Sequence, residues 1–225
     1  AWIFPLYVYL MVLSASWHAH KTAGKSIAIG AIVGLGILCR PTEGVMLFIP
    51  LLWGFQRTTF VFFLKENRYH FLLAGIAMSV VLLPQFVYWK YTTNHWIFDV
   101  GSKWDFLTPH FRVLVGPEKG WLMYTPICWL IILGLFYMDK ESYSLSIKTF
   151  IVMNIWIVIA WHIWRYGASY STRALVQSMP VMLLPMLAII QKMVLSKWKY
   201  FWISLCAYFL CLNLFQVYQY NNGIL

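Results

Sequence analysis

Acidic residues are scarce in this sequence. Seven aspartates and glutamates stand against 17 lysines and arginines, and charges of both signs make up only 11% of the chain. A soluble domain carries roughly 25%, so composition excludes an ordinary water-facing globule. Cysteine is sparse as well. Cys39, Cys128, Cys206 and Cys211 all lie inside apolar segments without metal-ligand spacing, and no disulfide framework is visible. His18 and His20 are two residues apart and point to different faces of a helix, which makes them a poor metal pair. Also missing are a phosphate-cradling glycine loop, a Ser-His-Asp order, a heptad and a solenoid period. The formal charge of +10 is scattered over short turns with no long basic run. That pattern excludes nucleic acid as a partner and fits topology signals and lipid contacts.

What the chain has in quantity is hydrocarbon-compatible sequence. It is 61% hydrophobic, with a mean hydropathy of +0.69. Repeated apolar runs approach the ~20 residues that span a bilayer. Trp89, Trp121, Trp164, Trp198 and Tyr200 sit at the ends of such runs, as in interfacial aromatic belts. The expectation is an all-α, polytopic transmembrane helical bundle of about eight helical segments, one transmembrane domain over residues 1–225 with the lipid bilayer as its partner. The sequence opens inside an apolar run, without an initiator methionine or a basic leader, and ends without a polar tail. It reads as a fragment of something longer.

Residues 1–17 form the first apolar segment, and 26–39 the second, with Gly30 and Gly34 one turn apart for close helix approach. Arg40-Pro41-Thr42-Glu43-Gly44 then interrupts the hydrocarbon pattern. The runs on either side are short for a full span, so two layouts arise. One is a single broken span with a charged cluster midway. The other is a pair of half-length helices meeting at the far surface, with Arg40-Pro41 at their tip. With the tip, ten basic residues fall on one side and seven on the other. The positive-inside rule favours that layout. The count includes Arg57 and Lys140 on the richer side.

Residues 71–89 form a clean span kinked at Pro84, and 121–138 another, with Pro126 near its first turn. Between them, 90–120 is the longest polar stretch, and such loops are usually functional. It holds Asp99, Asp105 and Glu118. Residues 149–164 and 174–194 form a hairpin, and 200–216 the last span, after which Gln216, Gln219, Asn221 and Asn222 emerge beside the long loop.

The connection 161–174 is the most informative. Arg165 and Arg173 stand at its ends against apolar sequence, where a cation is costly unless it snorkels or meets an anion. Phospholipid head groups satisfy the first reading. The second is an anion site, assembled with Arg40 and the 90–120 loop on one membrane face. Arginine suits phosphate because its planar fork donates two parallel hydrogen bonds. Glu43, three residues from Arg40, is an alternative partner for that cation. Asp99 and Asp105 have the chemistry of a general base for glycosyl transfer, and equally that of solvated loop acids.

Several of these segments resemble a known family. Cys39-Arg-Pro-Thr-Glu43 is similar to the Arg-Pro-Thr signature of bacterial membrane glycosyltransferases of the C-type (GT-C) fold, relatives of the protein mannosyltransferases and aminoarabinose transferases. Gly116-Pro-Glu-Lys-Gly-Trp-Leu-Met-Tyr-Thr-Pro126 looks like their re-entry into the membrane. Trp164-Arg-Tyr-Gly-Ala-Ser-Tyr-Ser-Thr-Arg-Ala174 resembles a further loop of theirs, with Ser171 where glycine is usual. Tyr218-Gln-Tyr-Asn-Asn-Gly-Ile-Leu225 resembles the chain after their last span. The four matches occur in family order.

The resemblance implies a GT-C-like bundle in the bacterial inner (cytoplasmic) membrane with its site facing the periplasm. It implies inverting transfer from a polyprenyl-phosphate-linked sugar donor, often with a divalent metal such as Mg or Mn. It assigns donor-phosphate binding to Arg40, Lys119, Arg165 and Arg173, supported by Glu43, Tyr124, Tyr166 and Ser169. It places the catalytic acid in a loop preceding Ala1, so no catalytic residue is carried over. The other class of reading is a non-catalytic membrane scaffold or lipid-binding subunit with the same fold. Ser171 raises a separate question, because glycine at that position serves a positive φ.

Overall fold

A computed structural model of the chain describes residues 2–54, 60–98, 101–139, 141–167 and 169–223. Asp99, Arg57, Lys140 and Ala168 lie outside the described residues. Those described are helical, with an isolated antiparallel bridge between Trp104 and Trp161 and no named strand. Three helices are long and apolar enough to cross a membrane: Arg68–Thr93, Arg173–Val194 and Lys199–Asn221. The chain divides into two compact units, Ala1–Ser102 with Glu141–Asn154, and Lys103–Lys140 with Ile155–Leu225.

The first unit begins with α1 (Ile3–Ala19) and α2 (Ala23–Cys39). Their polar turn caps itself. Thr22 accepts the Lys25 N–H at the start of α2, and the Lys25 ammonium donates to the Ser16 and His20 carbonyls that end α1, both at 2.9 Å. After α2 only Arg40 is extended, at φ −155° and ψ 122°. The chain re-enters helix at once as a 3-10 stretch, Pro41–Leu47, continued by α3 (Phe48–Leu52). The interruption is thus narrower than the five polar residues suggest, because proline fits the first turn of a helix.

Next come α4 (Phe60–Glu66) and α5 (Arg68–Thr93). Gly30 and Gly34 of α2 work as their spacing predicts. A Cβ on Gly30 would lie 2.0 Å from the Ala74 carbonyl oxygen, and one on Gly34 would lie 3.0 Å from Val81 Cβ, so α2 and α5 touch backbone to backbone at Gly30 and backbone to side chain at Gly34. Tyr7, Leu10, Met46, Ile49, Ile147, Phe150 and Ile151 are buried, with Tyr7 edge-on to Phe150 at 5.2 Å.

Helix α9 (Ser144–Ile159) begins in the first unit and ends in the second. It therefore starts earlier than the apolar run and carries Lys148 inside it. In the second unit the segment expected as one span is four pieces. They are α7 (Trp121–Tyr124), a 3-10 turn Pro126–Cys128, α8 (Trp129–Gly134) and a 3-10 turn Leu135–Tyr137. Thr125, forced out of helical geometry before proline, sits at φ −135° and ψ 69°. A short α6 (Arg112–Val115) precedes them. The unit ends with a 3-10 stretch Arg173–Ser178, α10 (Met179–Val194) and α11 (Lys199–Asn221). Gly134 lets α8 meet α10, since a Cβ there would fall 1.9 Å from the Pro185 carbonyl oxygen. Gln216, Gln219 and Asn221 lie within α11, not beyond it as the apolar pattern suggests.

Candidate functional site

Two loops about 50 residues apart in sequence form one layer in the second unit. Backbone bonds stitch them: Asp105 N–H to the Ala160 carbonyl and His110 N–H to the Ile159 carbonyl, both at 2.7 Å, and His162 N–H to the Lys103 carbonyl at 3.1 Å. Thr172, buried, donates its hydroxyl to the Lys119 carbonyl at 2.9 Å and lies 3.1 Å from that of Val113. The Lys119 ammonium donates to the Ser169 carbonyl. Lys119 is thus gripped at both ends by the 161–174 connection.

Arg165 and Arg173 have different surroundings. The Arg165 Nε donates to Glu118 Oε2 at 3.0 Å, and its guanidinium lies 5.1 Å from the centre of the Trp164 ring. Arg173 is exposed, and among the described residues it has no carboxylate partner. It stands near Lys119. Burial first, and then the Arg173 charge, hold the Lys119 ammonium below the usual lysine range, with Glu118 pulling the other way. Like charges brought together in this way favour an anion between them.

The supporting residues expected from sequence are structural in their contacts. Tyr166 is buried, donates its hydroxyl to the Val158 carbonyl at 2.7 Å, and packs 4.6 Å from the Trp161 ring. The Tyr124 hydroxyl donates to the Pro117 carbonyl. The Ser169 hydroxyl lies 3.4 Å from the Tyr166 carbonyl. Tyr166, Gly167 and Ser171 have φ of 51°, 69° and 50°. Serine therefore occupies a left-handed position of the kind glycine adopts without strain. Ser171 is buried, and its hydroxyl has no partner among the described residues.

Sequence reading missed Asn213 and Tyr170. Both address the Tyr124 carbonyl, the Tyr170 hydroxyl at 2.7 Å, and Asn213 also donates to that hydroxyl at 3.2 Å. The Tyr124 carbonyl that ends α7, left without a helical donor before Pro126, is thereby satisfied. The one available signal was an asparagine in an apolar span.

Arg40 and Glu43 belong to the first unit. Arg40 Nη1 lies 3.9 Å from Glu43 Oε1, and the Tyr7 hydroxyl donates to Glu43 Oε2. Glu43 is 5% exposed, so this carboxylate is committed to protein partners. The ion pair named above as an alternative for Arg40 is present. Asp105 is exposed, and its backbone closes a turn through the Thr108 N–H at 3.1 Å. Among the described residues no three of histidine, cysteine, aspartate and glutamate gather as a metal-ligand set. Compared with known proteins, the chain matches no family model, no curated protein and no solved structure.

Proposed function

We propose that the chain is part of a GT-C-like membrane glycosyltransferase of the bacterial inner membrane. It transfers a sugar from a polyprenyl-phosphate-linked donor to an acceptor on the extracytoplasmic side. The reading is carried by one observation: Arg173, exposed and without a carboxylate partner among the described residues, stands beside a half-buried Lys119. Two cations held by a hydrogen-bonded loop layer at the head of an apolar helix match the phosphate of an amphiphile whose tail lies in lipid. Arg165, beside Glu118, is given a supporting role. The order of the family-like segments suggests the activity, and no catalytic acid is assigned among these residues.

The test has two parts. In phosphatidylcholine nanodiscs, Arg173→Ala should weaken dodecyl phosphate binding by tenfold or more, the worth of a charge-assisted hydrogen bond at about 1.5–3 kcal/mol. Arg173→Lys should recover only part, because it keeps the charge and loses the fork. In the complete protein, transfer from the lipid-linked donor should fall in both variants at unchanged expression. Unaltered phosphate binding and transfer in both would remove Arg173 from the site. Binding lost with no transfer by the wild-type complete protein would favour the non-catalytic, lipid-binding subunit.

A further inference from the structure

Helix α11 carries a polar stripe that the phosphate site does not use. Asn213, Gln216 and Tyr220 are spaced three and four residues apart and share one face. Asn213 is spent on the Tyr124 carbonyl and the Tyr170 hydroxyl. Gln216 is not. Its Nε2 makes only a 3.5 Å contact with the Met123 carbonyl, and its Oε1 is enclosed with no donor among the described residues. An acceptor in that state lacks a hydrogen bond that a bound donor can supply. The residue itself is half-buried, and the terminal torsion of glutamine is broad, so the amide can turn toward such a donor.

Beside this amide stand three half-buried tyrosines. The Tyr170 ring lies 5.5 Å from Tyr124 and 5.6 Å from Tyr220, edge-on in both cases. Amide acceptors next to aromatic faces suit a neutral ring that is hydroxylated at its rim and presents C–H groups on its face. The patch adjoins the cation pair through the chain itself, because Tyr170 follows Ser169, whose carbonyl holds the Lys119 ammonium.

We infer that Gln216, with the Tyr124, Tyr170 and Tyr220 rings, forms a subsite for the sugar ring of the ligand whose phosphate lies at Lys119 and Arg173. The inference rests on the phosphate reading for the ligand's other end, and the two are separable by probe.

The experiment uses the chain in phosphatidylcholine nanodiscs, so that no sugar detergent competes, with methyl β-glucoside and dodecyl phosphate as separate probes. Gln216→Leu should weaken glucoside binding about fivefold, one hydrogen bond's worth, and leave dodecyl phosphate binding as in wild type. Gln216→Glu, which keeps an acceptor, should retain glucoside binding. Arg173→Ala should do the reverse of Gln216→Leu. Equal glucoside affinity in wild type and Gln216→Leu, or none in wild type, overturns the subsite whatever the phosphate probe does. Dodecyl phosphate binding equal in wild type and Arg173→Ala, or absent from wild type, with the glucoside response intact, overturns the phosphate reading and leaves the ring subsite standing.

Discussion

Lys119 keeps its charge against two opposing influences, burial and then Arg173. Its folded pKa lies below the unfolded value, so the ammonium is penalised in the fold while both states are protonated. That penalty fades as pH rises through the depressed range. Anion binding needs the ammonium and is lost over the same interval. Dodecyl phosphate affinity should therefore fall before the ordinary lysine range near ~10.4 is reached, and Lys119→Arg should abolish the fall. Binding titrated against pH in nanodiscs checks both. At this scale the sequence was half legible. Lys119, Arg165 and Arg173 stood out because cations against apolar sequence are rare. Their division of labour did not, because Glu118 reaches Arg165 across 47 residues and Tyr7 reaches Glu43 across 36. No local pattern encodes such pairings.

Between helices, the closest approach in the first unit is Gly30 of α2 on the backbone of α5. Gly30→Val should destabilise by roughly 1–3 kcal/mol or more, since the obstacle is a carbonyl and not a movable side chain. Gly24→Ala meets nothing within 4 Å and serves as the control, within about 0.5 kcal/mol of wild type. Thermal unfolding in nanodiscs reads both, and equal midpoints would refute this packing. The small-residue spacing made this contact readable in advance. Helix limits were less so. Residues 121–138 have the composition of one span, yet Pro126 withholds a donor and α7 closes on Asn213 and Tyr170 instead. Whether a proline kinks a helix or divides it depends on who satisfies the freed carbonyls, and those donors lie on distant chain.

At the scale of the molecule, two of the three described helices able to span a membrane have none of their apolar stretch buried by protein. Neither α5 nor α11 contains a buried residue, although each is long and apolar enough to span. In a bilayer their outer faces are sealed by lipid instead. A hydrophobic diazirine reagent should therefore label α5 around Leu72, Val80 and Leu83, and α11 around Phe201, Leu210 and Leu214, all exposed, and spare Leu10, Ile147 and Phe150. Mass spectrometry of the labelled peptides decides it, and even labelling of the two sets would rule out lipid as the cover. Composition pointed toward spanning helices in advance, because charges make up only 11% of the chain, and three helices long and apolar enough to cross a membrane are present among the described residues. The hydrogen bond from Asn213 to Tyr124 bears on biosynthesis, since its partners are 89 residues apart. At synthesis rates of ~5–20 residues per second, the carbonyl waits roughly 2–9 s for Tyr170, its first donor, and roughly 4–18 s for Asn213. During that delay the nascent hairpin must borrow water or translocon groups, so the last helix completes a structure begun long before it.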